Sequence, residues 1–205
     1  MKFTVAIDGP AAAGKGTISK AIAEEFGFQH LDTGLLYRAV GRRALDGVPA
    51  DIAAATLRLR DIARTDLRTP EVAEAASKAA ANPAVRSALV SFQVDFARRE
   101  GGAVLDGRDI GTVICPNAEV KLFVTASAEA RAHRRWLELK EAGLDISEAE
   151  VLENVRTRDQ RDAERDAAPM VAAEDAVLLD TSTMDVKTAT EAAFEVVRVG
   201  LAKRQ

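Results

Sequence analysis

The stretch GPAAAGKGT, residues 9–17, sets glycines, a lysine and a threonine at nearly the spacing of the phosphate-binding pattern G-x-x-x-x-G-K-[ST]. In that pattern backbone N–H groups cradle phosphate, the lysine adds a mobile positive charge and the following hydroxyl holds Mg2+. Here Gly16 stands where the hydroxyl belongs, and Thr17 follows one place late. The loop Gly9, Pro10, Ala11, Ala12, Ala13, Gly14, Lys15, Gly16 and Thr17 is therefore a candidate cradle for a nucleotide's phosphates.

Three other constellations carry chemistry. In LDTGLLYR, residues 31–38, Thr33 offers a hydroxyl and Arg38 a planar fork able to hold a monophosphate through two bonds. A solvated surface arginine would leave the same trace. In LDGRDIGTVI, residues 105–114, Asp106 ends a strand and is suited to orient metal-bound water, while Arg108 can reach phosphate. The carboxylates of Asp106 and Asp109 could equally cap the helix that follows. Between residues 131 and 165 there are seven arginines and one lysine against nine acids, so the region is no nucleic-acid patch. Arg158, Asp162 and Arg165 share one helical face, and Arg131, Arg134, Arg135, Arg156 and Arg161 complete the set. A salt-bridged, exposed pair of helices fits this pattern as well.

The elements that must position these residues alternate. FTVAID (3–8) is a strand running into the glycine loop, and Ile18, Ala21, Ile22 and Phe26 then recur at helical spacing. FQHLD (28–32), AVLD (103–106), VKLFVT (120–125) and AVLLD (176–180) are further apolar strands. Residues 51–101 read as helical throughout, with Thr69-Pro70 and Asn82-Pro83 as helix starts and Val85, Leu89, Phe92 and Phe96 on one face. Two charged helices span roughly 128–142 and 148–165, the second opened by the capping box Ser147 and Glu150, and a last helix carries Ala189, Ala192, Ala193, Val196 and Val197 on one face. This is an α/β pattern, a parallel sheet covered by helices on both faces.

Composition narrows the classes. The 28 Lys and Arg against 32 Asp and Glu give a net charge of −4, which offers no global field for nucleic acid. A single cysteine, Cys115, permits no internal disulfide and reads as a small apolar packer, and Trp136 reads as a packing residue of the first charged helix. His30 and His133 show no partner at metal or catalytic spacing. No signal-peptide pattern and no long apolar run occur, so a cytoplasmic protein is expected.

These four motifs, in this order from the glycine loop to LLDTS at 178–182, resemble the nucleoside monophosphate kinases, whose loops read G-K-G-T, and within them the cytidylate kinase family. The resemblance implies a P-loop fold in one domain, 1–205, with residues 1–37, 102–126 and 166–205 as core, 38–101 as the acceptor-binding segment and 127–165 as a lid bearing arginines. It implies ATP as donor, CMP and dCMP as acceptors, and Mg2+ held by phosphates and water, with no direct protein ligand and with Asp106 acting through water. Thr17 then meets the donor's phosphates, and Gly16 leaves room where the two substrates converge. Lys15, Asp106, Arg131 and Arg158 are the catalytic candidates. Thr33, Arg38, Ser77, Arg86, Arg108, Asp109, Arg158, Asp162 and Arg165 are the candidates for CMP, with Ser77, Arg86 and Asp109 against the base. A monomer working on small nucleotides is expected. Two alternatives stay open: UMP or AMP as acceptor, and a nucleotide-dependent regulatory switch. The family's usual small antiparallel β insert before R-T-x-E-V has no room between Arg38 and Arg68, so that segment is expected to be helical.

Overall fold

The five apolar runs become five parallel strands: β1 Thr4–Asp8, β2 Gln29–Asp32, β3 Ala103–Asp106, β4 Val120–Thr125 and β5 Val177–Asp180. They form one sheet in the order β2-β3-β1-β4-β5 in a computed structural model that describes residues 1–204. Every residue of the central β1 is buried, whereas the edge strand β2 is mostly half-buried and the edge strand β5 is largely exposed. That gradient is what helices on both faces of a parallel sheet produce.

On one face, Val5, Ile7, Val104, Leu122 and Val124 pack with Ile18 and Ile22 of α1 (Lys15–Phe26). Ala189, Ala193, Phe194 and Val197 of the C-terminal helix Val186–Ala202 join them. On the other face, Ala6 and Leu105 meet Phe96 and Ala97, with Ile110, Ile114 and the buried Cys115 beside them. Phe92 does not follow the stripe drawn from its spacing. It is 47% exposed, because it lies at the edge of a face on which Val85, Leu89 and Phe96 take the buried places.

The segment between β2 and β3 is helical, and every strand pairing among the described residues is parallel. It contains α2 Thr33–Leu45, α3 Ala50–Ala55, α4 Leu59–Ile62, α5 Pro70–Ala80 and α6 Pro83–Ala97. One detail departs from the sequence expectation. Residues 63–69 turn irregularly rather than continuing a helix. Charge holds that turn: Arg64 bonds Asp46 at 3.0 Å and Asp66 at 2.7 Å, while Arg43 donates to the Ala53 carbonyl at 2.8 Å. Residues 128–141 and 148–164 form α7 and α8, which share a small core of Ala132, Leu139, Val151 and Val155 with Trp136 against it. The terminal helix, Val186–Ala202, is α9.

The helix starts follow local chemistry. Thr69 Oγ1 accepts from Val72 N at 3.3 Å, Asn82 Oδ1 from Ala84 N at 2.9 Å and Ser147 Oγ from Glu150 N at 3.2 Å. Asn82→Ala removes the α6 cap without touching a core side chain and is expected to cost about 1 kcal/mol, read by urea denaturation; an unchanged midpoint would show that Pro83 alone sets the start.

Candidate active site

The strands end at one place. β1 lies between β3 and β4, so the segments leaving their carboxyl ends converge where α/β folds bind ligands. Gly9 leaves β1 at φ +139°, and a Cβ there would stand 1.9 Å from the Val124 carbonyl oxygen, so only glycine fits. Ala12 and Gly14 then take φ +59° and +93°, left-handed turns that direct successive N–H groups inward. Gly14 caps α1 with no side-chain bond, which leaves the first N–H groups of that helix for an anion. A methyl on Gly16 would meet no protein atom within 4 Å. The loop is braced from behind by Thr181 Oγ1, 3.0 Å from Ala13 O, and by Arg131 Nη1, 3.3 Å from Ala11 O.

Positive charge is concentrated at this loop. Lys15 is buried, and its Nζ donates to Pro10 O at 2.6 Å. Burial holds it well below the ordinary lysine range, Arg108 and Arg158 push the same way, and Asp106 and Asp8 oppose them. Arg158 falls to about 9, through burial first and the Arg108 charge second. Its Nε stands 3.8 Å from Asp162 Oδ2 and makes no hydrogen bond. Arg38 falls to about 10 through burial, then the Arg135 charge, and donates to Leu67 O at 2.9 Å. Guanidinium groups this crowded are suited to clamp phosphate oxygens.

At the end of β3, Asp106 is buried beside Lys15, and its Oδ2 lies 2.7 Å from His30 Nε2. Local spacing gives His30 no partner. Its partner is 76 residues away, and only the β2–β3 register brings the two together. Thr33 turns its hydroxyl to the Asp106 carbonyl at 2.7 Å, tying the start of α2 to β3. Asp32, opposite Asp106 in the register, is raised above the carboxylate range by burial and then by the Asp106 charge.

The other two motifs meet around two carboxylates. Asp109, buried, is ion-paired with Arg86 of α6 and lies 3.5 Å from Arg165 Nη2, while Arg86 also donates to Tyr37 Oη at 3.3 Å. Asp162 of α8 accepts from Arg108 Nε at 2.9 Å and from Ser77 Oγ of α5 at 3.4 Å. Burial raises Asp162, but Arg108 and Arg158 outweigh it and hold the carboxyl below its ordinary value. Of the remaining helix arginines, Arg131 forks onto Asp159 at 3.0 and 2.5 Å and Arg134 holds Thr181 O at 2.5 Å. Arg135 reaches Arg68 O at 3.1 Å, and Arg156 pairs with Glu129 at the surface. Asp109 caps nothing: that work falls to Asp8, which the sequence reading passed over because it is one strand residue with no motif spacing around it. Asp8 Oδ1 and Oδ2 accept the Ile110 and Gly111 N–H groups at 2.7 Å each. Burial raises Asp8 to about 6 against the pull of those N–H groups, with Asp109 adding to the rise and Lys15 opposing it.

A parallel sheet whose central strand feeds a glycine loop and a buried lysine, with arginines closing over both, defines a P-loop kinase. The family model for cytidylate kinases matches residues 5–59 and 50–199. Relatives named cytidylate kinase include one from Cereibacter sphaeroides, 63% identical over 97% of each chain, and one from Granulibacter bethesdensis, 57% identical over 97% of this chain and 98% of that one. The chain belongs to the cytidylate kinase family. Solved structures share the fold at low identity: an uncharacterized Eubacterium ventriosum protein has a TM-score of 0.59 at 15% identity, covering 96% of this chain and 98% of that one. A gluconokinase from Sinorhizobium meliloti has 0.50 at 15%, covering 99% and 96%. No helix among the described residues is long and apolar enough to cross a membrane.

Asp162 ties α8 both to the β3 loop and to α5. Asp162→Asn keeps an acceptor for Ser77 but no charge for Arg108 and Arg158, so amide exchange in residues 148–164 is expected to quicken by about tenfold or more. Exchange matching the wild-type protein there would show that the apolar contacts alone hold the helix.

Proposed function

We propose that this kinase moves the γ-phosphoryl group of ATP to the phosphate of CMP, giving ADP and CDP, and acts on dCMP in the same way. The observation that carries this reading is the buried pair Arg86 and Asp109. Cytosine offers an amino donor at N4 beside acceptors at N3 and O2, and uracil offers O4 as an acceptor beside an N3–H donor. An ionised aspartate can only accept and an arginine can only donate, so the pair suits cytosine. Ser77, Arg165 and Asp162 complete the acceptor's surroundings, and Arg38, Arg108 and Thr33 stand toward its phosphate.

In this reading residues 38–101 hold the acceptor and residues 127–165 form the lid. The glycine loop and the α1 N-terminus take the donor's phosphates. Lys15, Arg131 and Arg158 stabilise the charge spread over the phosphoryl oxygens in passage, and the two pockets align the reactants. No general base is needed, since the attacking phosphate is already an anion. The lid also keeps water from the γ-phosphate. Mg2+, bound with ATP, supplies positive charge to the phosphate oxygens. Hard oxygens suit it, and the Asp106 carboxylate, fixed by His30, would reach it through water. The enzyme acts as a monomer in the cytoplasm.

Lys15→Ala is expected to lower kcat by about 10²-fold or more while the thermal transition stays cooperative, because the side chain faces the phosphate site rather than a hydrophobic cluster. Near-normal turnover would remove its role. Initial rates with CMP, UMP, AMP and GMP test the acceptor. CMP is expected to exceed UMP by at least about tenfold in kcat/KM, and Asp109→Asn, whose amide can donate to O4, is expected to narrow that margin through weaker use of CMP. Preference for another base, or an unchanged ratio in the variant, would overturn the assignment; nucleotide hydrolysis unaffected by any monophosphate would mark a switch instead.

A further inference from the structure

The turn Ile110–Ile114 begins immediately after Asp109, with Ile114 N and Val113 N bonding back to the Asp109 carbonyl at 3.1 and 2.9 Å. A helical turn opens with N–H groups that have no partner within it, and the residue at the N-cap ordinarily supplies one through its own side chain. Asp109 occupies that place and is of the residue type best suited to it. Its carboxylate nevertheless makes no bond to the turn and faces Arg86 and Arg165. The N–H groups of Ile110 and Gly111 are instead taken, one by each oxygen, by Asp8 from a strand about a hundred residues earlier.

We infer that Asp8 is a positioning residue for base discrimination: by capping the turn after Asp109 it frees the Asp109 carboxylate to face the acceptor's base. The fit is close on both sides. Asp8 is 4% exposed, and a methyl added at Gly111 would lie 3.3 Å from Asp8 Oδ2 and 3.2 Å from the Lys121 side chain, so Gly111 lets the carboxylate approach. Asp8 also immediately precedes Gly9, so one residue fixes the origin of the phosphate loop and the orientation of the base-reading loop. Donor and acceptor sites thereby share a common frame.

Weakening the cap gives Asp109 a competing task. In Asp8→Asn, one amide oxygen serves one N–H group, and the amide NH2 meets the other, donor against donor. Asp109, at the N-cap, is placed to satisfy a stranded Gly111 N–H, and turning to do so takes it away from Arg86.

This inference rests on the reading that Asp109 faces cytosine, so the experiment measures kcat/KM for CMP and UMP in wild-type, Asp8→Asn, Asp109→Asn and the double variant, with a thermal melt of each. Asp8→Asn is expected to lower the CMP-to-UMP ratio by about five- to tenfold, raising KM for CMP more than KM for ATP. The double variant should match Asp109→Asn within about twofold, since both changes disable one device. A merely structural Asp8 would lower the melting temperature and slow both acceptors alike, leaving the ratio unchanged; that result, or ratio losses that multiply in the double variant, overturns the inference. A wild-type chain idle on CMP, or an Asp109→Asn ratio like the wild type's, would instead remove the functional reading beneath it. Should Asp8→Asn fail to fold, Gly111→Ala decides: pressing on the same cap from the other side, it should lower the ratio in the same direction, and an unchanged ratio would sink the proposal.

Discussion

Lys15, Arg108 and Arg158 crowd one end of the sheet, and they stay there because Asp106 and Asp162 stand among them. Buried cations are expensive unless carboxylates or hydrogen bonds face them, so the positions of these few charges constrain much else. Asp162 has to come from α8, and Ser77 and Arg108 fasten that helix over α5 and the β3 loop. Asp106 has to be held at the strand end, and His30 and Thr33 hold it from β2 and α2. The sheet supplies the remaining rigidity, since strands buried on both faces do not shift under such a load.

The parts of this arrangement that sequence made legible are those in which cause and effect lie within a few residues. The glycine loop announces itself because its φ requirements and its lysine are contiguous, and Thr69, Asn82 and Ser147 announce helix starts because a cap bonds two or three residues ahead. Asp8 and His30 could not be read this way. Their bonds run to Ile110, Gly111 and Asp106, and those meetings depend on β3 standing between β2 and β1 in one particular register. A strand register is set by the whole hydrophobic pattern and its coverings, and no local spacing encodes it. Residues 63–69 depart from the helical expectation for a related reason: Arg64 and Arg42 gather Asp46 and Asp66 into an irregular turn, and the partners lie on either side of two short helices.

The helix pair α7 and α8 is built differently from the rest. Its apolar core is small and its own, and its ties to the remainder are chiefly polar: Arg131 to the glycine loop, Asp162 to Arg108 and Ser77, Arg165 to Asp109. Polar ties of this kind can be exchanged for phosphate oxygens without opening a hydrophobic core, which a lid requires and a core helix does not permit. In the proposed reaction Arg131, one of the arginines that close the unit, is then brought to the reacting phosphates.

A last step joins stability to chemistry. Arg158 at about 9 and Arg38 at about 10 are displaced downward, yet both values lie above neutral pH, so both groups keep their charge and the displacement measures how unfavourable their surroundings are to it. An incoming anion relieves that disfavour. In the proposed reaction the cations that folding and lid closure have already desolvated and gathered leave little reorganisation for the moment when charge spreads over the phosphoryl oxygens. In the proposed reaction a loop lacking the usual metal-holding hydroxyl can work, since positive charge would reach the phosphates from several sides, from residues that the β3 loop, α2, α7 and α8 hold in place.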